Sequence, residues 1–591
     1  MDKKEQYVGI AFVVAAFLCF ITINRKYSQD VPQPAEVRQE VARQTASAGS
    51  AVSGGPEASF SSATQDRPGA AVATLENDYI QVHFTDFGGA IRNVALKKYP
   101  SVLGSTSPYL FNELHDEPML GFVNYPGLGH DTRYTVVSQS QDSITYRAVV
   151  DGTLEVTRTY TLPPSKGPGT DPYQLRSETT FRNLGARAAA PVRVALSLGT
   201  TAPVNAKDFG TQLATGYSTG SDQAFVLRGE LESRNGFLGM GARDAKPFIE
   251  SSGPIAWAAV KNQFFSAILT PDAPAGGLVT RRVKLLTLLP DTDRNAYGVT
   301  GTAQFDLPAL EPKAQASLGC ELYVGPNEYR RLANDAVFKA DQDKVMQFGF
   351  FKFFSELLLT LMVWIRGFVP NWGVAIILTT LTLKTVCLPL TLVASRSAKR
   401  MQKVQPHMQA LKEKYKDNPA KLQAAQVELF KKHKVNPLGG CIPMLLPMPF
   451  FFGFFRLLPN AAELRFAPFL WAHDLSAPDT VGYIHGFPIN VLPLIFVAAN
   501  FAQMMVMPQP TVDNAQAKMM KFMPLMLLWL YYSFSCALSL YSTVNALFTI
   551  GQQLVVNRMK DPEMNLPEAA PAGKSSPGRP MKNVTPGRRK H

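Results

Sequence analysis

The sequence has no closely spaced pair of cysteines. Its five, Cys19, Cys320, Cys387, Cys441 and Cys536, lie far apart and none forms a CxxC pair, which excludes a disulfide framework and a zinc site. Proline (44) and glycine (42) are near average for 591 residues, so there is no collagen-like or low-complexity domain. Charged residues are few, 18% against about 25% in ordinary globular chains. Signatures of catalysis are missing too. No HExxH arrangement occurs, and Gly573-Lys574-Ser575, which ends like a P-loop, has Glu568 where the first glycine belongs. The pattern calls for no metal and no cofactor.

What is present is unevenly distributed. A chain of 591 residues with 46% apolar content is long enough for two or more folding units. Residues 7–23 form an apolar run of about the minimum spanning length. The nearest small-x-small site, Ala46-Ser47-Ala48, lies more than twenty residues downstream, so residues 1–27 are read as an uncleaved transmembrane anchor rather than a signal peptide. Residues 28–72, rich in Ala, Ser, Gln, Pro and Gly, read as a flexible linker. From 73 to 335 short alternating runs such as Ile80–Phe84 and Leu154–Tyr160 are separated by Gly88-Gly89, Pro163-Pro164, Asn235-Gly236 and Pro290-Asp291. Period-two alternation over such a length predicts a large antiparallel β-sandwich. Its carboxylates are numerous enough for a glycosidase pair, yet nothing in their spacing singles one out.

Beyond residue 345 the chain turns apolar, with candidate spans at 372–394, 441–459, 488–506, 522–538 and 539–556. Charge decides the topology. The segment 393–436 carries eleven Lys/Arg against three Asp/Glu, and the tail 557–591 carries eight against three, which together account for the whole excess of +13. By the positive-inside rule both are cytoplasmic. If 346–369 also spanned, the basic segment would fall on the β-domain's side. Residues 336–370 are therefore read as an amphipathic interfacial helix, with Phe348, Phe351, Leu358 and Trp364 toward lipid. The fold class is a polytopic α-helical membrane protein with six transmembrane helices, both termini cytoplasmic, and an exported β-sandwich.

The basic segment reads as a helical hairpin. Met401, Val404, Met408, Leu411 and Tyr415 repeat at helical steps, Asn418-Pro419 breaks the helix, and Asn436-Pro437 ends its second arm. Either it merely sets topology, or Arg396, Lys399, Arg400, Lys403, Lys431 and Lys432 dock lipid headgroups, ribosomal RNA or an incoming chain.

Lys384 is the most informative residue. It lies about ten residues into its span, roughly 15 Å deep and near the midplane of a ~30 Å core, where a lysine costs about 3 kcal/mol. The five C-terminal spans contain no Asp or Glu to pair with it, and Arg456 is their only other charge. A cation flanked by Thr379, Thr380, Thr382 and Thr385 implies a hydrated cavity. The spacing predicts one hydroxyl-bearing face through Thr379, Thr382 and Thr385, with Thr380 and Lys384 on the face beside it. The plainer reading is a lysine that snorkels or stays neutral in a packed bundle. An ion-coupled transporter would need acidic residues or an inverted repeat, and neither is visible. A protein-handling groove would need adaptable walls, which Met444, Met448, Met504, Met505, Met519, Met520, Met523 and Met526 could supply; ordinary packing explains them equally well. A further alternative is an exported sugar-binding or sugar-modifying domain tethered by a structural bundle.

Asn371-Trp372-Gly373, the span with its mid-membrane cation, Pro389-Leu390-Thr391, the basic hairpin, Val435-Asn436-Pro437-Leu438-Gly439-Gly440-Cys441-x-Pro443, Met448-Pro449, Ala467-Pro468-Phe469 and Asp474-Leu475-Ser476 resemble the YidC/Oxa family of membrane protein insertases. The resemblance covers residues 371–556, and the anchor and β-domain resemble the Gram-negative branch. It implies an inner-membrane location, a five-helix insertase core over 371–556 with a groove open to cytoplasm and lipid, a periplasmic β-supersandwich, and no enzyme chemistry. Lys384 corresponds to the family's groove cation, usually Arg, and Thr380 to its groove threonine. Pro447 stands where a groove glutamine is common. Tyr541 matches one of a usual tyrosine pair, and Ser542 replaces the other. The implied partners are nascent inner-membrane proteins, the Sec translocon, the ribosome and anionic lipids. The implied activity is insertion and folding of membrane proteins, Sec-independently or with the translocon.

Overall fold

Alternating apolar residues account for the first part of the structure. The computed structural model describes residues 69–125, 127–164, 169–205, 208, 210–234, 242–338, 341–416, 418–432, 447–485, 487–506 and 525–559. The N-terminal anchor, most of the linker, the Asn235-Gly236 turn, the end of the basic hairpin, the starts of the spans expected at 441 and 522, Met444, Met519, Met520, Met523 and the tail after Met559 lie outside the described residues. Two compact units are distinguished. One contains the chain to Ala375 with Phe452–Val491 and Phe534–Leu538; the other contains Ile376–Phe451, Leu492–Ser533 and Ser539 onward.

In the first unit every strand pairing is antiparallel. Strands Val72–Glu76, Ile80–Thr85, Ala90–Pro100 and Pro108–Phe111 form a four-stranded meander. A nine-stranded sheet runs from Gln223–Leu227 at one edge, through Ala214–Ser218, Trp257–Lys261, Phe265–Pro271, Gln315–Pro326, Gln174–Asn183, Leu154–Thr161 and Ser143–Val150, to Thr135–Gln139 at the other. It packs against a second four-stranded sheet made of Phe248–Ile255, Ala275–Lys284, Tyr297–Leu307 and Val192–Thr201. Period-two alternation sends Val156, Arg158 and Tyr160 to the same buried face. The Arg158 guanidinium donates to the carbonyls of Gly88 (2.9 Å) and Leu120, and lies 4.8 Å from the Phe122 ring centroid. With the Tyr160 hydroxyl on Gly89 O at 2.9 Å, it fixes the glycine turn, whose φ values of 79° and 52° favour glycine.

Lys261 is a second buried cation of this unit. Its ammonium donates to Val345 O at 2.8 Å, and burial, with Arg456 adding like-charge repulsion, pulls its pKa down to about 7. Arg465 is a third. Its two terminal nitrogens donate to Pro100 O (2.6 Å) and Ser101 O (2.8 Å), with the rings of Tyr109, Phe264, Phe265 and Phe466 around it. Gln263 Nε2 donates to Pro459 O at 2.6 Å, so the β-domain and the segment around Pro459–Phe466 are joined through backbone carbonyls.

Six longer helices carry the rest of the described chain: α1 Lys352–Arg366, α2 Trp372–Lys414, α3 Pro419–Lys432, α4 Met448–Leu457, α5 Val491–Val506 and α6 Cys536–Arg558. At 15 residues α1 is roughly 22 Å long, short of a ~30 Å hydrocarbon core. Its exposed residues correct the sequence reading. Leu358 is fully buried against Gly453 of α4, where Ser355 Oγ also donates to Gly453 O at 3.1 Å, and Phe348 is buried beside the Tyr329 ring. The exposed aromatic set is Phe350, Phe353, Trp364 and Phe368. The sequence pattern marks α1 as amphipathic without revealing that a neighbouring helix occupies one apolar stripe.

Asn371 caps α2, its Oδ1 accepting from Val374 N at 3.1 Å, and its Nδ2 donates to Pro468 O at 3.2 Å. A β-carbon at Gly373 would come within 2.2 Å of the Phe469 ring, so Asn371-Trp372-Gly373 and Ala467-Pro468-Phe469 meet only because Gly373 has no side chain. α2 is long and apolar enough over Trp372–Met401 to cross a membrane, and it contains Pro389 and Pro406. The break before the last helix differs from expectation. Residues 525–531 are helical, the chain turns over 532–535, and α6 starts at Cys536 rather than at 539. The amides of Cys536 and Ala537 donate to Ala477 O (2.7 Å) and Leu475 O (2.8 Å), which satisfies donors that a helix start leaves without intrahelical partners. Apolar continuity hides such a break from hydropathy.

Because the folded state depresses the Lys261 pKa, the unfolded chain binds more protons above about pH 7, and stability rises with pH through that window. The strand Trp257–Lys261 should gain up to about 2 kcal/mol of protection between pH 7 and 9. Urea titration with hydrogen-exchange mass spectrometry on the intact protein measures this gain. Lys261→Met should flatten the slope.

Candidate substrate groove

α2 and α6 each present a polar stripe at helical spacing. On α2 the stripe is Thr380, Lys384, Cys387 and Thr391, at steps of four, three and four. On α6 it is Tyr541 and Asn545, with Thr549 one turn further on. Together with Leu383, Pro447 and Phe450, all of these except Thr549 line a small, partly open cavity of about 30 Å³. Lys384 is half-buried, and its ammonium donates to Thr549 Oγ1 at 3.2 Å, linking α2 to α6. Thr380 and Tyr541 are buried.

The threonine hydroxyl hydrogens at this site are already committed. Thr380 Oγ1 donates to Ile376 O at 2.7 Å, Thr391 to Leu388 O at 3.0 Å, and Thr549 to Asn545 O at 2.7 Å. Each keeps lone pairs for outside donors, and that of Thr549 accepts from the Lys384 ammonium.

Three expected features take a different form. Thr382 and Thr385 are exposed and donate to their own helix, at Leu378 O and Leu381 O, both 2.8 Å, while Thr379 is fully buried and does not line the cavity. The three-residue comb therefore winds away from the site, because steps of three drift around a 3.6-residue helix. Ser542 is buried outside the cavity and donates to the Tyr531 hydroxyl at 3.3 Å; Tyr531 in turn lies 4.4 Å from the Phe496 ring. Among the described residues no methionine lines the cavity, and Met505 and Met526 are exposed.

Among the basic residues, Lys399 donates to Val556 O at 3.2 Å and Arg396 lies 3.6 Å from Met559 Sδ, so both sit at the C-terminal end of α6, where cations are favoured. Arg400, Lys431 and Lys432 are exposed and Lys403 is half-buried. Sequence reasoning missed Asn545 and Thr549, although steps of four from Tyr541 reach both. It also missed Cys387, Thr391 and Phe450.

Comparison with known proteins places this geometry in a class. Residues 72–361 match the family model of the YidC periplasmic domain, and residues 364–563 match that of the 60Kd inner membrane protein. These define an inner-membrane protein with a periplasmic β-domain. The Membrane protein insertase YidC of Chlorobaculum parvum (strain DSM 263 / NCIMB 8327) is 28% identical over 574 residues, covering 93% of each chain. That of Wolinella succinogenes (strain ATCC 29543 / DSM 1740 / CCUG 13145 / JCM 31913 / LMG 7466 / NCTC 11488 / FDC 602W) is 37% identical over 254 residues, 43% of this chain and 45% of its own. A solved active YidC insertase with its first transmembrane domain resolved aligns at 18% identity over 83% of this chain and 93% of its own, with a TM-score of 0.31. The chain belongs to the YidC/Oxa family of membrane protein insertases, a family of insertion factors rather than enzymes.

A cap at the end of α6 has a measurable signature. Lys399→Ala should cost about 0.5–1 kcal/mol locally and speed amide exchange in the last turn of α6, whereas Arg400→Ala should leave that exchange unchanged. Hydrogen-exchange mass spectrometry on the detergent-solubilised protein distinguishes the two.

Proposed function

We propose that the protein is a membrane protein insertase and folding chaperone that moves the polar tails of inner-membrane proteins across the bilayer through a hydrated, positively charged groove. It has six spans with both termini cytoplasmic, the β-domain periplasmic and α1 at the outer interface. A five-helix core occupies 371–556 and the hairpin 393–436 lies in the cytoplasm. The observation that carries the reading is Lys384, lining a cavity with Thr380, Pro447 and Tyr541 in a set of spans that has no carboxylate. A short acidic tail is drawn toward this cation, and the following apolar segment slides along α2 and α6 into lipid. Attraction to one ammonium in a wet groove amounts to a few kcal/mol at most, so it lowers the crossing barrier. Burial of about twenty apolar residues then drives the process without nucleotide. Arg400, Lys403, Lys431, Lys432 and the basic tail meet the ribosome, the nascent chain or anionic lipid, and the Sec translocon is an optional partner.

Lys384→Glu should abolish insertion of substrates with acidic tails in a depletion strain, while Lys384→Arg should be tolerated. Full activity of the Glu variant removes the charge-capture mechanism. For topology, a reporter active only in the periplasm should work when fused within 73–335 and fail within 393–436. The reverse pattern would overturn the six-span arrangement.

A further inference from the structure

The Lys384–Thr549 hydrogen bond is directional. Thr549 spends its only hydroxyl hydrogen on Asn545 O at 2.7 Å, so toward Lys384 its oxygen can only accept, and the 3.2 Å contact is an ammonium donating into a lone pair. We propose that Thr549 is a specificity-determining residue of the groove: its oxygen is the built-in competitor of an incoming carboxylate for the Lys384 ammonium. This rests on the charge-capture reading above and adds to it the residue that sets how strongly an acidic tail must bind.

The exchange follows from donor and acceptor counts. Lys384 has three N–H donors, one of which is held by Thr549. Thr380 and Thr391, whose hydrogens are on Ile376 O and Leu388 O, offer further lone pairs but no donor to an anion. A carboxylate entering this cavity therefore finds no donor on its threonines, and Lys384 is the lining cation that attracts it. Its best approach displaces the neutral oxygen of Thr549, trading a neutral acceptor for a charged one, which makes the stronger hydrogen bond. A tail with Asn or Gln in place of the acid makes no such trade. The same exchange removes one tie between α6 and α2 and leaves that of Lys399 on Val556 O in place, so capture of an acidic tail loosens the two helices at the level of the cavity.

The test compares stalled nascent chains carrying an acidic tail or its Asn/Gln counterpart, photo-crosslinked from position 541 in the full-length protein in membranes. Thr549→Val keeps the shape and removes the acceptor, and should raise the acidic-to-neutral crosslinking ratio about ten- to a hundredfold, the worth of one hydrogen bond to a charged group. Thr549→Ser keeps the acceptor and should leave the ratio at its parent value, which a purely structural role for the side chain would not require. Should the Val variant fail to accumulate, Thr549→Ala replaces it with the same expectation. An unchanged or lowered ratio in the accumulating variant overturns the proposal. Lys384→Gln in the same assay separates the two levels. If it collapses the ratio while Thr549→Val leaves it untouched, charge capture stands and the competitor role falls; if the ratio never depended on Lys384, both fall.

Discussion

A single ammonium without a carboxylate sets the terms for the membrane part of this protein. Lys384 lies well inside an apolar helix, and no acidic residue occurs in any of the C-terminal spans. A resident Asp or Glu would neutralise it and cost an arriving acidic tail the price of breaking an ion pair. A hydroxyl satisfies the ammonium more weakly. It lowers the penalty of burying the charge while leaving most of its attraction for an outside anion. On α6 the acceptor that meets the ammonium is Thr549 Oγ1, at 3.2 Å.

The same arrangement recurs in the first unit. Arg158 rests on the carbonyls of Gly88 and Leu120, Lys261 on that of Val345, and Arg465 on those of Pro100 and Ser101. In each case backbone oxygens, and for the two arginines aromatic faces, receive a buried cation. Carbonyl dipoles are fixed in position by the fold, so such a cation reports whether two segments are correctly placed. Arg465 joins the strand end at Pro100 to the segment before Phe466, and Asp474 Oδ1 holds the amides of Phe466 and Ser476 at 3.0 and 2.8 Å. The conspicuous sequence motifs around 371, 467 and 474 are thus parts of one junction, built by caps, a side-chain-free glycine and carbonyl contacts.

Much of this was legible before any coordinates. Strand alternation is a local property, and Ile80–Phe84 and Leu154–Tyr160 are both strands. The anomaly of Lys384 is compositional and needs no geometry. What stayed hidden depended on partners. Leu358 and Trp364 look alike in an apolar helix, and only Gly453 of α4 decides that Leu358 is covered. The threonine comb failed because steps of three drift around a 3.6-residue helix, so Thr379, Thr382 and Thr385 do not share the face of Lys384. Ser542 looked like a lost hydroxyphenyl group, yet a phenol from Tyr531, eleven positions earlier, stands beside it. Lys399 looked like a free docking charge until the end of α6 was found within reach.

The polar-tail groove proposed above must satisfy more than a carboxylate. An extended chain crossing a low-dielectric region carries backbone N–H groups that each need an acceptor, and leaving one unpaired costs several kcal/mol. Thr380, Thr391 and Thr549 direct their hydrogens into their own helices and so keep oxygen lone pairs for other donors, the first two about three turns apart on α2. Hydroxyls with free hydrogens would adapt to donors and acceptors alike and discriminate less. Committed ones favour the donor-rich edge of an extended backbone, and the lone cation favours the acid at its end. Both preferences follow from where a few hydrogen atoms are spent, which is why back-bonded threonines, ordinary elsewhere in membrane helices, acquire a use beside Lys384.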